Sequence, residues 1–445
     1  MYLEQPWQVI DAMSVLRYED YMEHIRALID SAMAAADPAR ALAANWPHIL
    51  NDGGPAYIVG AGKAALEMAA KAAALYDGPI VDGAVAVVPE RLARLTEQPA
   101  RFRAFPVAHP LPDERNLVAA RAIADVARWA GEDDKVLVLL SGGGSAHLML
   151  PAGDLELEDV RLVTEALLRA GAPIHELNIV RKHCELLKGG GLARLAAPAA
   201  VWTFILSDVV GDSLDTIASG PTASDPSTYD DALDVIRRYN VSSLVPAVTA
   251  HLEAGARGVH PETLKPGDPV LARVNNLLIG SNRQVLLAAR QIAARAGWQV
   301  VGFEMGVEGE ARLIGLGLGV MAHDLARRPD KPCCWLIGGE TTVTVHGSGK
   351  GGRNQELALS AAITMDGIKG VALASFATDG VDGASDAAGA IVTGETCARA
   401  RALGLDPQEY LNNNDSHSFF EQVGGLIHTG PTGTNVNDIA FLLAY

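Results

Sequence analysis

Short apolar runs recur along this chain. Each breaks into glycine, serine or acid just before the next element begins. Residues 56–76 read AYIVGAGKAALEMAAKAAALY, a strand, a glycine turn and a long Ala-rich helix. KVLVLLSGGGSA (135–146) repeats the move from strand into glycine turn, and AVWTFILSDVVGD (200–212) and VALASFATDGVDG (371–383) end their strands in acids. VDGAVAVVP (81–89) is another strand, and ERNLVAARAIADVARWA (114–130) is an amphipathic helix. Continuous apolar strands alternating with helices require a parallel sheet covered on both faces. The expected fold class is therefore α/β.

At 445 residues the chain has room for two domains. With 49% hydrophobic and 20% charged residues, it can fill two cores. The expected division is residues 1–245, a doubly wound, Rossmann-like parallel sheet, and 246–445, a smaller α/β domain. The Pro-rich VHPETLKPGDPV (259–270) should lie as a linker near the start of the second, after which NLLIGSNRQVLLAARQIA and GWQVVGFE restart the strand–helix pattern. The closing NVNDIAFLLAY is a strand that can pair into either sheet, including a return to the first domain.

The formal net charge is −17. A diffuse acidic surface repels phosphate backbones, so nucleic acid is not an expected partner. An anionic ligand must instead find a local positive site. The four cysteines, Cys184, Cys333, Cys334 and Cys397, form no CxxC pair and read as buried thiols of a reducing compartment. The start, MYLEQPWQVIDAM, has no basic stretch followed by an apolar core, and no apolar run approaches the ~18 residues of a membrane span. A cytoplasmic protein is expected.

In open parallel sheets ligands bind beyond the carboxyl ends of the strands, where glycine lets backbone N–H groups approach a phosphate. Gly60-Ala61-Gly62-Lys63 fits the loose dinucleotide fingerprint, and a tight strand-to-helix turn explains its glycines equally well. Lys63 decides between them, because a cation in the first helical turn opposes the helix dipole unless an anion is near. Ser141-Gly142-Gly143-Gly144-Ser145 reads as a cradle of N–H donors for a carboxylate or phosphate. Lys188 opens a run of three glycines, more than a helix C-cap explains. Asp208 and Asp212 close one strand, and Asp379 and Asp382 follow another. Such a carboxylate can hold magnesium, which uses one or two carboxylates plus substrate phosphates, or can take a proton from a hydroxyl. HGSGKGGRNQE (346–356) matches GxGxxG but is not a Walker A loop, since Thr344 replaces its first glycine and Gly351 its Ser/Thr. Arg353, at the start of the next helix, points like Lys63 to an expected anion.

Taken in order, GAGKAA, VLLSGGGSA, VRKHCELLKGGGLA, SDVVGDSLDTIASGPT, GSN, GGETTV, GKGGRNQE, ATDGVDG and GPTGTNVNDI resemble the class-II glycerate kinase family, also called the MOFRL family. The resemblance runs from Ile58 to the C-terminus. It implies two α/β domains with an active cleft between them, and ATP-dependent phosphorylation of D-glycerate at its C2 hydroxyl, with magnesium. It places the catalytic lysine at Lys63, the catalytic arginine at Arg353, the aspartate of SDV at Asp208 and the glutamate of GGET at Glu340. The phosphate- and substrate-binding set is then Gly60, Gly62, Ser141, Gly142, Gly143, Gly144, Ser145, Lys188, Glu340, Gly351, Gly352 and Asp379, with Asp208 or Asp379 as the metal ligand. The expected partners are glycerate and ATP, with a homodimer as the assembly.

Two other readings compete. An NAD(P)H-dependent hydroxypyruvate reductase would need an acid on the ribose about 20 residues beyond GAGK. Asp82 is in range but precedes its strand rather than following it. A non-catalytic sugar-phosphate-binding module would need the glycine cradles, but not Lys63, Arg353, Asp208 and Glu340 together.

Overall fold

The computed structural model describes residues 16–93 and 101–445. The chain divides into two compact units: Pro38–Ile279, and residues 16–37 together with Gly280–Tyr445.

The unit Pro38–Ile279 is built on six strands: β1 (Ala56–Ala61), β2 (Ile80–Val87), β3 (Arg103–Pro106), β4 (Lys135–Leu140), β5 (Ala200–Leu206) and β6 (Val274–Gly280). Their order is β3-β2-β1-β4-β5-β6, with β3 through β5 parallel. This is the doubly wound order, in which the chain builds outward from β1 and then restarts at β4 on its other side. All six residues of β1 and of β4 are buried, as strands covered on both faces must be. Helix Glu114–Trp129 turns its Leu117, Ala120, Ile123, Ala124 and Ala127 inward, and Asp113 caps it through the Arg115 N–H.

The second unit has strands β7 (Gln299–Glu310), β8 (Cys333–Thr342), β9 (Val371–Ala377), β10 (Gly389–Thr393), β11 (Leu426–Ile427) and β12 (Asp438–Ala444). Their order is β11-β10-β9-β12-β8-β7. The sheet is mixed: β7 and β8 are parallel, while β12 runs antiparallel to both β8 and β9. The starts of β12 and the ends of β8 and β9 therefore share one edge. Helices Ala311–Ala326 and Arg353–Thr364 cross closely because Gly315 and Gly319 carry no side chain; a Cβ on Gly315 would lie 2.2 Å from the Leu357 carbonyl oxygen.

The units differ from the expected 1–245 and 246–445. β6 adds to the first sheet, and VHPETLKPGDPV lies within the first unit. That loop is held by main-chain bonds from Leu264 N–H to Gly189 and from Asp225 N–H to Leu264, with the Leu264 side chain fully buried. At the other end, helix Tyr21–Ala36 packs on Asn282–Arg295 rather than on the first sheet. The closing strand, β12, lies inside the second sheet and does not return to the first.

Candidate functional site

The first sheet reverses its order between β1 and β4, and the GAGK and SGGGS loops leave those two neighbouring strands at their carboxyl ends. Hydrogen bonds stitch the loops together. Lys63 N–H donates to the Gly142 carbonyl (2.9 Å), and Ala64 N–H donates to Ser141 Oγ (2.9 Å). Gly62 N–H donates to His147 Nδ1 (3.0 Å). This fit requires glycine at position 62: its φ is +123°, and a Cβ there would come 2.3 Å from Ser141 Oγ. A Cβ on Gly142 would come 2.0 Å from Asp208 Oδ2, so the Asp208 carboxylate lies directly against the loop. Ser145 Oγ meets Ser219 Oγ at 2.9 Å. None of these bonds uses the N–H of Gly142 or of Gly143. Lys63, half-buried, lies in the turn between β1 and helix Ala65–Leu75, one residue before the Ala64 N-cap and so outside the first helical turn, and Gly60 lies within β1 itself.

Lys188 does not face solvent. Its ammonium is fully buried and donates to Glu185 Oε2 (2.6 Å) and to the Ser145 carbonyl (2.8 Å). Arg181 donates to that same carbonyl (2.9 Å) and to Glu185 Oε1 (3.1 Å). Burial lowers the Lys188 ammonium to about 8, against the pull of Glu185. The Arg181–Glu185–Lys188 cluster thus grips the last residue of the SGGGS loop from beneath. Arg181, Glu185, His109 and His147 went unnoticed in the sequence, where nothing in their local patterns marks them. Burial holds His147 down at about 4, with His109 and Lys63 adding to the effect. Burial and then Lys63 also lower His109.

In the second unit, Arg353 is the first residue of helix Arg353–Thr364. Its Nε and Nη2 meet the two oxygens of Asp438 at 2.5 and 3.0 Å, and Nη1 meets Glu340 Oε1 at 2.8 Å. Burial works against the Arg353 charge, but Asp438 and then Glu340 outweigh it and hold the guanidinium above its ordinary value. Burial pushes the Asp438 carboxyl up and the guanidinium pulls it back; the fork geometry is that of a charged pair. Asp382 serves the same helix differently. Its carboxylate accepts from the main-chain N–H of Asn354 (3.0 Å) and Gln355 (2.9 Å), capping the first turn from a distant loop.

The glycine loop before Arg353 is pinned rather than loose. The N–H groups of His346 and Gly347 donate to Asn414 Oδ1, that of Ser348 to Asn413 Oδ1 and that of Lys350 to Asp415 Oδ1. No such bond takes the N–H of Gly351 or Gly352, and both residues line a cavity of about 610 Å³ with Arg353, Asp379 and Thr341. Asp379 Oδ1 accepts from Val381 N–H (3.1 Å) at the turn beyond β9. Among the described residues no group of three or more His, Cys, Asp or Glu could hold a metal ion.

A doubly wound sheet with glycine loops at its reversal defines an α/β protein of the class in which ligands, as a rule, bind beyond the strand ends. Comparisons with known proteins agree. Residues 24–253 match a family described as a domain of unknown function (DUF4147), and residues 333–438 match the MOFRL family. A glycerate 2-kinase of Pyrococcus horikoshii is 40% identical, over 94% of this chain and 96% of its own. A D-glycerate 2-kinase of Thermotoga maritima is 40% identical, over 93% and 95%. A protein of Agrobacterium vitis provisionally named as a hydroxypyruvate reductase is 39% identical, over 98% and 95%. The crystal structure of a glycerate kinase from Thermotoga maritima superposes with a TM-score of 0.88 at 38% identity, covering 96% of this chain and 100% of that one. The chain belongs to the class-II glycerate kinase, or MOFRL, family.

Proposed function

We propose that this chain is an ATP-dependent glycerate 2-kinase, transferring the γ-phosphoryl group of ATP to the C2 hydroxyl of D-glycerate to give 2-phosphoglycerate and ADP. The relatives named for that reaction supply the substrate. The observation that carries the chemistry is the pair of stitched glycine loops at the reversal of the first sheet, with Lys63 and the Asp208 carboxylate beside them.

Phosphoryl transfer asks a protein for positioning and for neutralisation of charge on the equatorial oxygens. Lys63 supplies one positive charge. Arg353 supplies another: of its five N–H donors, three are bound by Asp438 and Glu340, which leaves one on each terminal nitrogen for phosphate oxygens. The amides of Gly142 and Gly143, and those of Gly351 and Gly352, are the remaining donors. Magnesium fits this donor set without a preformed cage, because it needs only one or two carboxylates when phosphates complete its shell. Asp208 or Asp379 would hold it. Bound there, it would offset the charge of the phosphates. Asp208, against the Gly142 loop, is also the candidate to take the hydroxyl proton.

Asp82 speaks against the reductase. It pairs in register with Tyr57, near the start of β1 and away from Gly62, and its carboxylate binds Arg103 (3.0 Å). Asp82 therefore lies at the wrong end of its strand to meet a ribose beyond GAGK. The deciding experiment supplies purified protein with ATP, Mg²⁺ and D-glycerate. Stoichiometric ADP and 2-phosphoglycerate are expected. NADH oxidation with hydroxypyruvate would favour the reductase, and ligand-dependent melting without turnover would favour the binding module.

The same reading includes a cytoplasmic setting, supported by four cysteines that are all buried free thiols. Among the described residues no helix is long and apolar enough to cross a membrane. It also includes a homodimer, supported by an exposed apolar row on helix Ala311–Ala326, where Leu313, Leu316 and Val320 are 63%, 50% and 50% exposed. Light scattering of the purified protein tests that assembly.

A further inference from the structure

We infer that His109 is a ligand-contacting residue of this site, its imidazole lying over Gly143 and donating a hydrogen bond to an anionic oxygen held at the Gly143 turn. The position of the ring carries the argument. A Cβ built on Gly143 would come 3.1 Å from His109 Nε2 and 3.2 Å from its Cδ2. The ring edge therefore covers the one residue of the Ser141–Ser145 loop whose backbone, at φ +83°, is left-handed. The side chain reaches solvent, so a ligand can reach it.

The ring is also held in place. It meets the buried His147 ring edge-on, with centroids 5.8 Å apart. His147 accepts the Gly62 N–H at Nδ1, so its own proton sits on Nε2 and its orientation is tied to the GAGK loop. His147 is thus a positioning residue between the two glycine loops and His109. The groups acting on His109 are Lys63 and the neighbouring His147 ring, and the Asp208 carboxylate lies against the adjoining Gly142. A neutral imidazole still offers one N–H there. With Lys63 it forms a donor set at the Gly143 turn that suits an oxyanion.

Two substrate groups share that chemistry, the carboxylate of the hydroxy acid and a phosphate of the nucleotide. Their identity rests on the kinase reading; the contact itself does not. The test compares wild type with His109→Ala, His109→Gln and His109→Asn in the full chain. KM is measured separately for D-glycerate and ATP, alongside calorimetric binding of each. In His109→Ala one of the two KM values should rise roughly tenfold or more, the scale of one hydrogen bond to a charged oxygen, with a smaller change in kcat. His109→Gln, whose amide reaches as far as Nε2, should recover most of the loss, and the shorter His109→Asn less. The substrate that responds identifies the oxygen. Should the alanine variant not fold, the order Gln above Asn carries the same decision. Unchanged KM and binding for both substrates, a loss in kcat alone, or no advantage of Gln over Asn overturns the inference while leaving the kinase reading intact. If wild type binds ATP or D-glycerate without turnover, the kinase reading fails, and loss of that binding in His109→Ala still upholds the contact. Binding of neither substrate by wild type overturns both.

Discussion

Arg353 and Asp438 meet fork to fork, Nε and Nη2 against both carboxylate oxygens at 2.5 and 3.0 Å, joining the first residue of a helix to the first residue of β12. A cation that the sequence marks for an anion is thus oriented by a carboxylate before any ligand arrives. A paired guanidinium gives up less rotamer freedom on meeting a phosphate than a free one would.

Removing one side of that pair should therefore reach the reaction. Asp438→Asn keeps the shape and deletes the charge. We expect kcat to fall roughly tenfold or more, and stability to drop by about 2 kcal/mol, the scale of a hydrogen bond to a charged group. Steady-state kinetics and urea unfolding read the two effects. Full activity in a folded Asp438→Asn protein would show that Arg353 needs no such alignment.

Lys63→Ala and Arg353→Ala should each lower kcat by roughly a hundredfold or more with the fold retained, as for loss of a transition-state charge contact. If both serve one transferred group, the double variant should lose less than the product of the single losses. Strictly multiplicative losses would assign them to separate tasks.

Glycine replacements separate the loop from the scaffold. Gly142→Ala must displace the Asp208 carboxylate, which lies 2.0 Å from the new Cβ. Activity should fall at least about tenfold while stability changes by about 1 kcal/mol. Gly317→Ala, in helix Ala311–Ala326 with nothing within 4 Å of its Cβ, is the control. It should stabilise by roughly 0.5–1 kcal/mol through helix propensity and leave kinetics unchanged. Equal loss of activity in both variants would falsify the role given to the Gly142–Asp208 contact.

His147 makes stability depend on pH. Its folded value of about 4 lies below the ordinary value of 6.5, so the unfolded chain binds the proton more readily. The contribution is fully present above pH ~6.5 and is lost as pH falls toward about 4, to the extent of about 3 kcal/mol. Unfolding free energies measured between pH 7 and 4 should show that slope, and His147→Gln should flatten it. A wild-type slope that survives the substitution would place the proton elsewhere.

Much of the first sheet was legible because buried parallel strands announce themselves: AYIVGA and KVLVLL are apolar without a break, and each ends at its glycines. Lys63, Arg353 and Asp208 stood out for their positions at strand ends and helix starts. The division of the chain was less legible. NLLIG looks like the start of a new domain, and only pairing across the sheet shows β6 completing the old one. Asp438 was hidden for a similar reason. An acid opening an apolar strand is ordinary in sequence and gains meaning only opposite Arg353. Asn413, Asn414 and Asp415 read as a polar turn, although they hold the GSGK loop in shape. Contacts between residues far apart in sequence leave no local pattern to read.

The placement of β12 bears on how the protein is made. Strands β8 and β9 do not pair with each other; each pairs with β12, which the ribosome adds much later. Until then a growing chain carries two apolar strands with open hydrogen-bonding edges, the kind of edge that recruits neighbouring chains. The unit Pro38–Ile279 is continuous in sequence, whereas helix Tyr21–Ala36 must wait for Asn282–Arg295 to emerge. Rapid expression should therefore trap this protein by way of its second sheet, and slower synthesis or a chaperone that shields strand edges should recover it.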